Sequence, residues 1–348
     1  MRPEIPESLD ELLTPEWLNA ALSQRFPSIE VTGVIRGPVV SRLSTNARFT
    51  IECDSAPNGL KTELCAKGYF TEVGRSRAAA GEPEAHFYRD AVEPTGIETL
   101  NCVYADVDET THRSVIISED VIAGGGVFLD TLSPYTPDQT AESLAQLARL
   151  HSSTWLSPQF ENTTWLDWRI PHYRLYRTAE DTQIAFDGPA GAGIPKEAKD
   201  AARLRAAFKE LTLNDPRTSG PWSIIHGDTH VGNVFLDQAH RPRFLDWQTV
   251  QRGPWALDVS YHIASSLSTP ERRANERDLL ALYLENLRVL GVEAPPWDAA
   301  WLEYRKAIAH GYFMWAITQQ VHLEMIETLL RRLGTAAADL DTFELLGA

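Results

Sequence analysis

The run IIHGDTHVGNVFLD, followed closely by RFLDW, leaves this chain few architectures to choose from. Residues 223–226 and 234–237 read as short apolar strands, 238–242 as a polar turn holding a proline, and 243–247 as a third extended run. A hairpin of this kind sets Asn233 beside Asp246, because paired strands lie only about 5 Å apart. One carboxylate and one amide oxygen side by side suit a hard cation such as Mg²⁺, which keeps few protein ligands. Asp228 precedes the pair and is free to face an incoming hydroxyl. Metal ligands plus an acid that orients a nucleophile are the parts that phosphoryl transfer requires. The alternation His226, Asp228, His230 would also put three metal-binding side chains on one side of a strand, as in a metallohydrolase. The remaining histidines are scattered and complete no such site.

HGDTHVGN (226–233) resembles the catalytic loop of the aminoglycoside phosphotransferase and choline kinase superfamily, relatives of protein kinases that phosphorylate small molecules. LDWQ (245–248) resembles their second metal motif. EAHFYRD (84–90), SVIISEDV (114–121), LARLHSSTW (147–155) and GPWALDVSYHI (253–263) are similar to the ecdysteroid-kinase-like, or CHK-like, branch. The resemblance spans about residues 30–330. It implies an α+β, two-lobe protein-kinase-like fold, with an N-terminal antiparallel sheet and one helix before a larger, mainly helical C-terminal lobe. It implies an enzyme that moves the γ-phosphoryl group of ATP to a hydroxyl of a small molecule, with Mg²⁺. In that frame Asp228 is the catalytic residue, Asn233 and Asp246 are the metal ligands, and His226 braces the loop. Asp258 matches a family aspartate that supports the catalytic loop, and is not expected to be catalytic.

Lys67 stands in the middle of the apolar strand LCAKGYF, where a charged side chain needs a partner. The resemblance makes it the contact for the α- and β-phosphates of ATP, paired with a helix glutamate. Glu84 matches the family position best, and Glu82 is the alternative. The glycine-rich GxGxxG phosphate loop of protein kinases is absent, and GPVVSRLSTNARF (37–49) stands in its place. There Ser44, Thr45 and Asn46 could offer backbone N–H groups and hydroxyls to phosphate, since a turn forms an anion nest without glycine. Residues 118–121 resemble the hinge that holds adenine through backbone groups, which assigns Glu119 and Val121 to the nucleotide.

Apolar spacing predicts a helix over 7–26, restarted at Thr14 and Pro15, then strands at 29–35, 47–53 and 60–70. A helix over 78–91 and strands at 100–107 and 113–120 complete the first part. Residues 123–126 read as a glycine-rich linker. Beyond them, helices are expected at 140–155, 196–211, 254–266, 270–290, 298–323 and 325–333, with 158–195 unassigned. The domain expectation is therefore residues 1–121 for nucleotide binding and 122–348 for catalysis and acceptor binding.

With 32 Lys and Arg against 48 Asp and Glu, the net charge is -16, which repels phosphate backbones and anionic membranes. A nucleic-acid partner is not expected, and no apolar stretch approaches the ~20 residues of a membrane span. Cys53, Cys65 and Cys102 match no zinc or redox spacing and read as buried thiols of a cytoplasmic protein. The partner is a small-molecule alcohol. Candidate acceptors are an aminoglycoside, a hydroxyacyl-CoA, a sugar or amino alcohol, and a polycyclic alcohol. Asp339, Asp341 and Glu344 could form an acidic surface for an aminoglycoside. A non-enzymatic nucleotide-binding module and a nucleotidyl transferase are the competing functions.

Overall fold

The computed structural model describes residues 2–54 and 56–348. The chain begins with a short helix, Leu9–Leu12, closed by a capping box between Ser8 and Glu11. Helix α1 (Pro15–Leu22) follows, with Thr14 accepting from the Trp17 N–H at 3.3 Å and Pro15 at its first position. The predicted restart at Thr14 thus divides the 7–26 segment into two helices. Leu12, Leu18 and Leu22 enter one core with Val31, Ile51, Leu64 and Ile117.

The first sheet is antiparallel and ordered β1 (Val31–Ser41), β2 (Thr45–Cys53), β3 (Glu63–Gly68), β5 (Arg113–Glu119), β4 (Cys102–Asp108). The strand expected at 29–35 continues to Ser41, which pairs with Thr45. The turn is therefore only Arg42 to Ser44, and two of the three residues assigned to a phosphate loop open β2 instead. In β3, Leu64 and Ala66 are buried in the core under the N-terminal helices, so alternation sends Cys65 and Lys67 to the opposite face. The three cysteines are free and part-buried, less enclosed than their apolar surroundings predicted.

The helix expected over 78–91 is a composite. A 3₁₀ turn (Ala78–Gly81) leads into α2 (Glu82–His86), a π-helical turn (Phe87–Ala91) and a last turn ended by Gly96 at φ 63°. Only glycine holds that left-handed geometry without strain. The glycine-rich 123–126 segment folds back on itself through Gly124 N–H to Asp120 O (2.9 Å) and Gly126 N–H to Val121 O (2.8 Å). It delivers β6 (Val127–Phe128) to the edge of a second small sheet, β6–β8–β9, made with β8 (Val234–Leu236) and β9 (Pro242–Phe244). A third pair joins β7 (Ser223–Ile225) to β10 (Gln251–Gly253).

The remaining chain is mainly helical: α3 (Pro137–Thr154), α4 (Ala201–Leu211), α5 (Ala256–Ser266), α6 (Thr269–Val289), α7 (Trp297–Ile317) and α8 (Leu323–Asp339) share one core. Helix α7 stops six residues before the expected position, and α8 runs six beyond it. At the break the Thr318 hydroxyl takes the Met314 carbonyl and Arg177 takes the Ala316 carbonyl, so the helix end is satisfied by side chains. The unassigned 158–195 stretch contains 3₁₀ turns (Thr164–Leu166, Ile170–Leu175) and a helix (Ala179–Asp187). Among the described residues no helix is long and apolar enough to cross a membrane.

Candidate active site

The loop between β7 and β8 is fixed from below by Asp258 of α5. This carboxylate is fully enclosed and accepts from the His226 N–H at 2.7 Å and the Gly227 N–H at 2.8 Å. His151 of α3 approaches it at 3.3 Å. Gly227 turns at φ 82°, and a Cβ there would lie 2.8 Å from the Thr249 carbonyl, so glycine is required. Both ring nitrogens of His226 are committed: Nε2 donates to Leu245 O at 2.9 Å, and Nδ1 accepts from the Asp228 N–H at 3.2 Å. That occupancy removes His226 as a metal ligand. Among the described residues no cluster of three His, Cys, Asp or Glu side chains is placed to hold an ion.

Asp228, whose side chain is 26% exposed, follows directly on this platform. Its Oδ1 accepts from the Tyr261 hydroxyl at 2.9 Å, and its Oδ2 accepts from the Asn233 amide at 3.1 Å. His230 Nε2 stands 3.6 Å from Oδ2. Burial raises the carboxyl pKa, but the nearby His230 and His226 and the Tyr261 hydrogen bond outweigh it and hold the group well below the ordinary range. Asp228 is therefore a firmly ionised acceptor of hydrogen bonds.

Asn233 also donates to the Asp228 carbonyl at 2.7 Å. Its amide nitrogen is thus turned inward, which leaves its carbonyl oxygen as the available donor atom for a cation. Leu245 N–H bonds to Asn233 O at 3.0 Å, so Asp246 follows directly after the residue paired with Asn233. Asp246 adopts φ 63° and opens the 3₁₀ turn Trp247–Thr249. A non-glycine residue holds this conformation at a cost of about 1–3 kcal/mol, a pattern concentrated at functional sites. One half-exposed carboxylate and one oriented amide oxygen fit the sparse protein ligation of Mg²⁺.

Lys67 bridges the sheet to this hairpin. Its Nζ lies 2.6 Å from Glu84 Oε2 and 2.9 Å from Asp246 Oδ1. Burial pulls the ammonium pKa down, yet Asp246 and Glu84 together raise it above its ordinary value. Glu82 turns instead to His112 at 2.6 Å. The choice between the two glutamates thus falls to Glu84. On the ATP-binding expectation drawn from the sequence, Glu84→Gln should raise the ATP KM by about tenfold, from loss of a charge-assisted pair, whereas Glu82→Gln stays within about twofold. Steady-state kinetics on both variants check this.

The other assigned residues are distributed around this centre. Asn46 pairs in register with Lys67 on the adjacent strand. Thr45 is buried, with Oγ1 3.2 Å from Ser41 Oγ, so its hydroxyl is already engaged, and Ser44 ends the turn. Glu119 closes β5, donates its N–H to Asn101 O at 2.9 Å and pairs with Lys61 at 3.0 Å. Val121 begins the following turn, its carbonyl taken by Gly126.

Tyr261 was not legible as a site residue. His310 of α7 donates to the Gly227 carbonyl at 2.8 Å, and Tyr261 meets its ring edge-on at 5.7 Å. The signal for Tyr261 was its place one helical turn after Asp258 in GPWALDVSYHI, which puts both on one face of α5. His262 braces the loop from the same helix by donating to Thr229 O at 2.7 Å. Burial pushes its pKa down to about 4. A histidine lowered on folding adds stability above its unfolded value, near 6.5, and loses it as pH falls toward the folded value. Urea unfolding at pH 5 is expected to show a deficit relative to pH 7.5 that shrinks by roughly 2 kcal/mol in His262→Gln.

A family model described as the phosphotransferase enzyme family (APH) matches residues 121–311. Similar solved structures include a choline kinase from Cryptosporidium parvum Iowa II, 14% identical, covering 89% of each chain at a TM-score of 0.51. A spectinomycin phosphotransferase solved with ADP and spectinomycin is 11% identical, covering 96% of this chain and 98% of its own at 0.52. An ethanolamine kinase from Plasmodium vivax is 11% identical, covering 88% and 83% at 0.51. At such identities the likeness is one of fold, and it agrees with the kinase-like architecture expected from the sequence. No curated protein matches the chain.

Proposed function

The chain belongs to the phosphotransferase enzyme family, and on that premise we propose that it moves the γ-phosphoryl group of ATP to a hydroxyl of a small molecule. The convergence of Lys67, Glu84, Asp246, Asn233 and Asp228 from both parts of the chain carries this reading. Residues 1–121 would supply the nucleotide side and 122–348 the catalytic and acceptor side. Lys67, held charged between two carboxylates, would meet the α- and β-phosphates. Asn46, beside Lys67, and Ser44 at the turn would cover them, whereas Thr45 would contribute only its backbone. The peptide groups of Glu119 and Val121 that are not already bonded would face adenine. Asn233 and Asp246 would hold Mg²⁺, which when bound neutralises phosphate charge.

Asp228 would accept a hydrogen bond from the acceptor hydroxyl. The depressed pKa keeps this carboxylate ionised, so it can aim the oxygen, with the proton moving late. That order suits a loose transition state, in which bond formation to the nucleophile lags.

A polycationic acceptor is disfavoured. Asp339 is paired with Arg272 and Arg273, Asp341 with Arg305 (2.8 Å) and Glu344 with Arg203 (2.8 Å), so each of these carboxylates is matched by an arginine that weakens its pull on a polycation. The CHK-like affinity of the 84–90 and 253–263 segments is part of the same proposal. ADP release measured with Mg²⁺ and ATP across a library of small alcohols tests it. Acceptor-dependent release with a phosphorylated product supports transfer; release of AMP and an adenylylated product would establish the nucleotidyl transferase instead. Binding without any turnover across the library would favour the non-enzymatic module.

A further inference from the structure

The carboxylate of Asp228 has about four lone-pair directions. One on Oδ2 is taken by the Asn233 amide at 3.1 Å, and His230 Nε2 crowds the other at 3.6 Å. His230 cannot turn away, because its Nδ1 accepts from the Gly232 N–H at 3.0 Å and its ring meets Trp315 edge-on at 5.3 Å. Oδ1 receives one hydrogen bond, at 2.9 Å from Tyr261. A single direction on Oδ1 is left open, and the Asp228 side chain is 26% exposed, so it can be reached.

Tyr261 is itself rigidly held. It is 1% exposed, and its ring lies over Gly311 of α7, where a Cβ would come within 2.5 Å of the ring. The absence of a side chain at Gly311 is what admits the ring. Resting on the transfer reading above, we propose that Tyr261 is a positioning residue: its hydroxyl pins Asp228 Oδ1 so that the one free lone pair of that oxygen points at the acceptor hydroxyl. The acceptor oxygen and the phenol oxygen would then share Oδ1, and the tyrosine would fix the angle at which the alcohol enters.

The titratable groups that face this carboxylate are His226 and His230 of its own loop, Tyr261 of α5, His310 of α7, and Tyr173 of the 158–195 segment. Burial raises the phenol of Tyr261 well above its ordinary value, so it remains a donor throughout the working pH range.

The test is Tyr261→Phe, which removes one oxygen and keeps the ring. Two readouts are needed. The first is the ¹³C resonance of the Asp228 carboxyl carbon at about pH 7.5, assigned by its loss in Asp228→Asn and read without any turnover. Loss of the phenol hydrogen bond should displace it. The second is hydrolysis of Mg²⁺–ATP by water, where kcat should fall about 10- to 100-fold with the ATP KM unchanged. Site-specific 3-fluorotyrosine, a stronger donor in the same shape, should displace the resonance the other way. A Phe variant whose Asp228 resonance stays where it is in the unaltered protein overturns the proposal, as does one that keeps full kcat. If the resonance moves as expected but neither protein turns over ATP, the positioning contact stands and the transfer reading fails.

Discussion

Asp228→Asn is expected to lower phosphoryl transfer by about 10²- to 10⁴-fold, the range for loss of a positioned acid–base group. The ATP affinity should hardly change, because the residues proposed for the nucleotide side, Lys67 with Glu84 and Asp246, are held together without it. Asparagine keeps the size of the side chain but presents an amide N–H where an acceptor is needed. It would also set a donor against Tyr261 or against Asn233, both of which donate to the native carboxylate. The alcohol then loses its aim as well as its proton acceptor. Turnover and ATP binding measured on the same preparation separate these effects. A variant with undiminished acceptor-dependent turnover would falsify the catalytic assignment.

Asp258→Ala should produce the largest loss of stability, about 3–5 kcal/mol. It would strand the amides of His226 and Gly227 inside the protein and leave His151 without its carboxylate. Activity should fall with it, since those two amides fix the residues directly before Asp228. The pH dependence adds a sign. Burial raises the Asp258 pKa, but the His151 contact, the nearby His226 and the Gly227 amide lower it below the ordinary value. A carboxylate depressed on folding adds stability that is present above its unfolded pKa, near 4, and is lost as pH falls through its folded value. The native protein should therefore lose stability below about pH 4, and Asp258→Asn should lack that increment. Urea titrations from pH 3 to pH 7 decide it, and a parallel acid limb in both proteins would show that the carboxylate is not linked to folding.

Parts of this arrangement could be read along the chain. The spacing of Asp228, Asn233 and Asp246 is local: two short strands and one turn carry all three, and strand pairing fixes their approach. The alternation of LCAKGYF sent Lys67 away from the core, as its charge required. Thr14 and Pro15 announced a helix start. The turn between β1 and β2 is shorter than the apolar runs suggested because the strands pair as far as Ser41 and Thr45, and apolar runs mark strand interiors better than strand ends. The resemblance favoured Glu84 over Glu82, but the residue pattern alone did not separate them, because both stand in the first turn of one short helix and only the packing of that helix selects the one that meets Lys67.

The sequence by itself determined which side chains share a loop, a strand face or a helix turn, because those relations follow from backbone periods of two and 3.6 residues. The tertiary structure alone decided that Tyr261 meets Asp228 and that Lys67 reaches Asp246 across 179 positions. Such contacts depend on how whole helices and sheets dock, and Gly311 beneath the Tyr261 ring shows how finely. Docking is set by the fit of many side-chain surfaces at once, which no local period encodes.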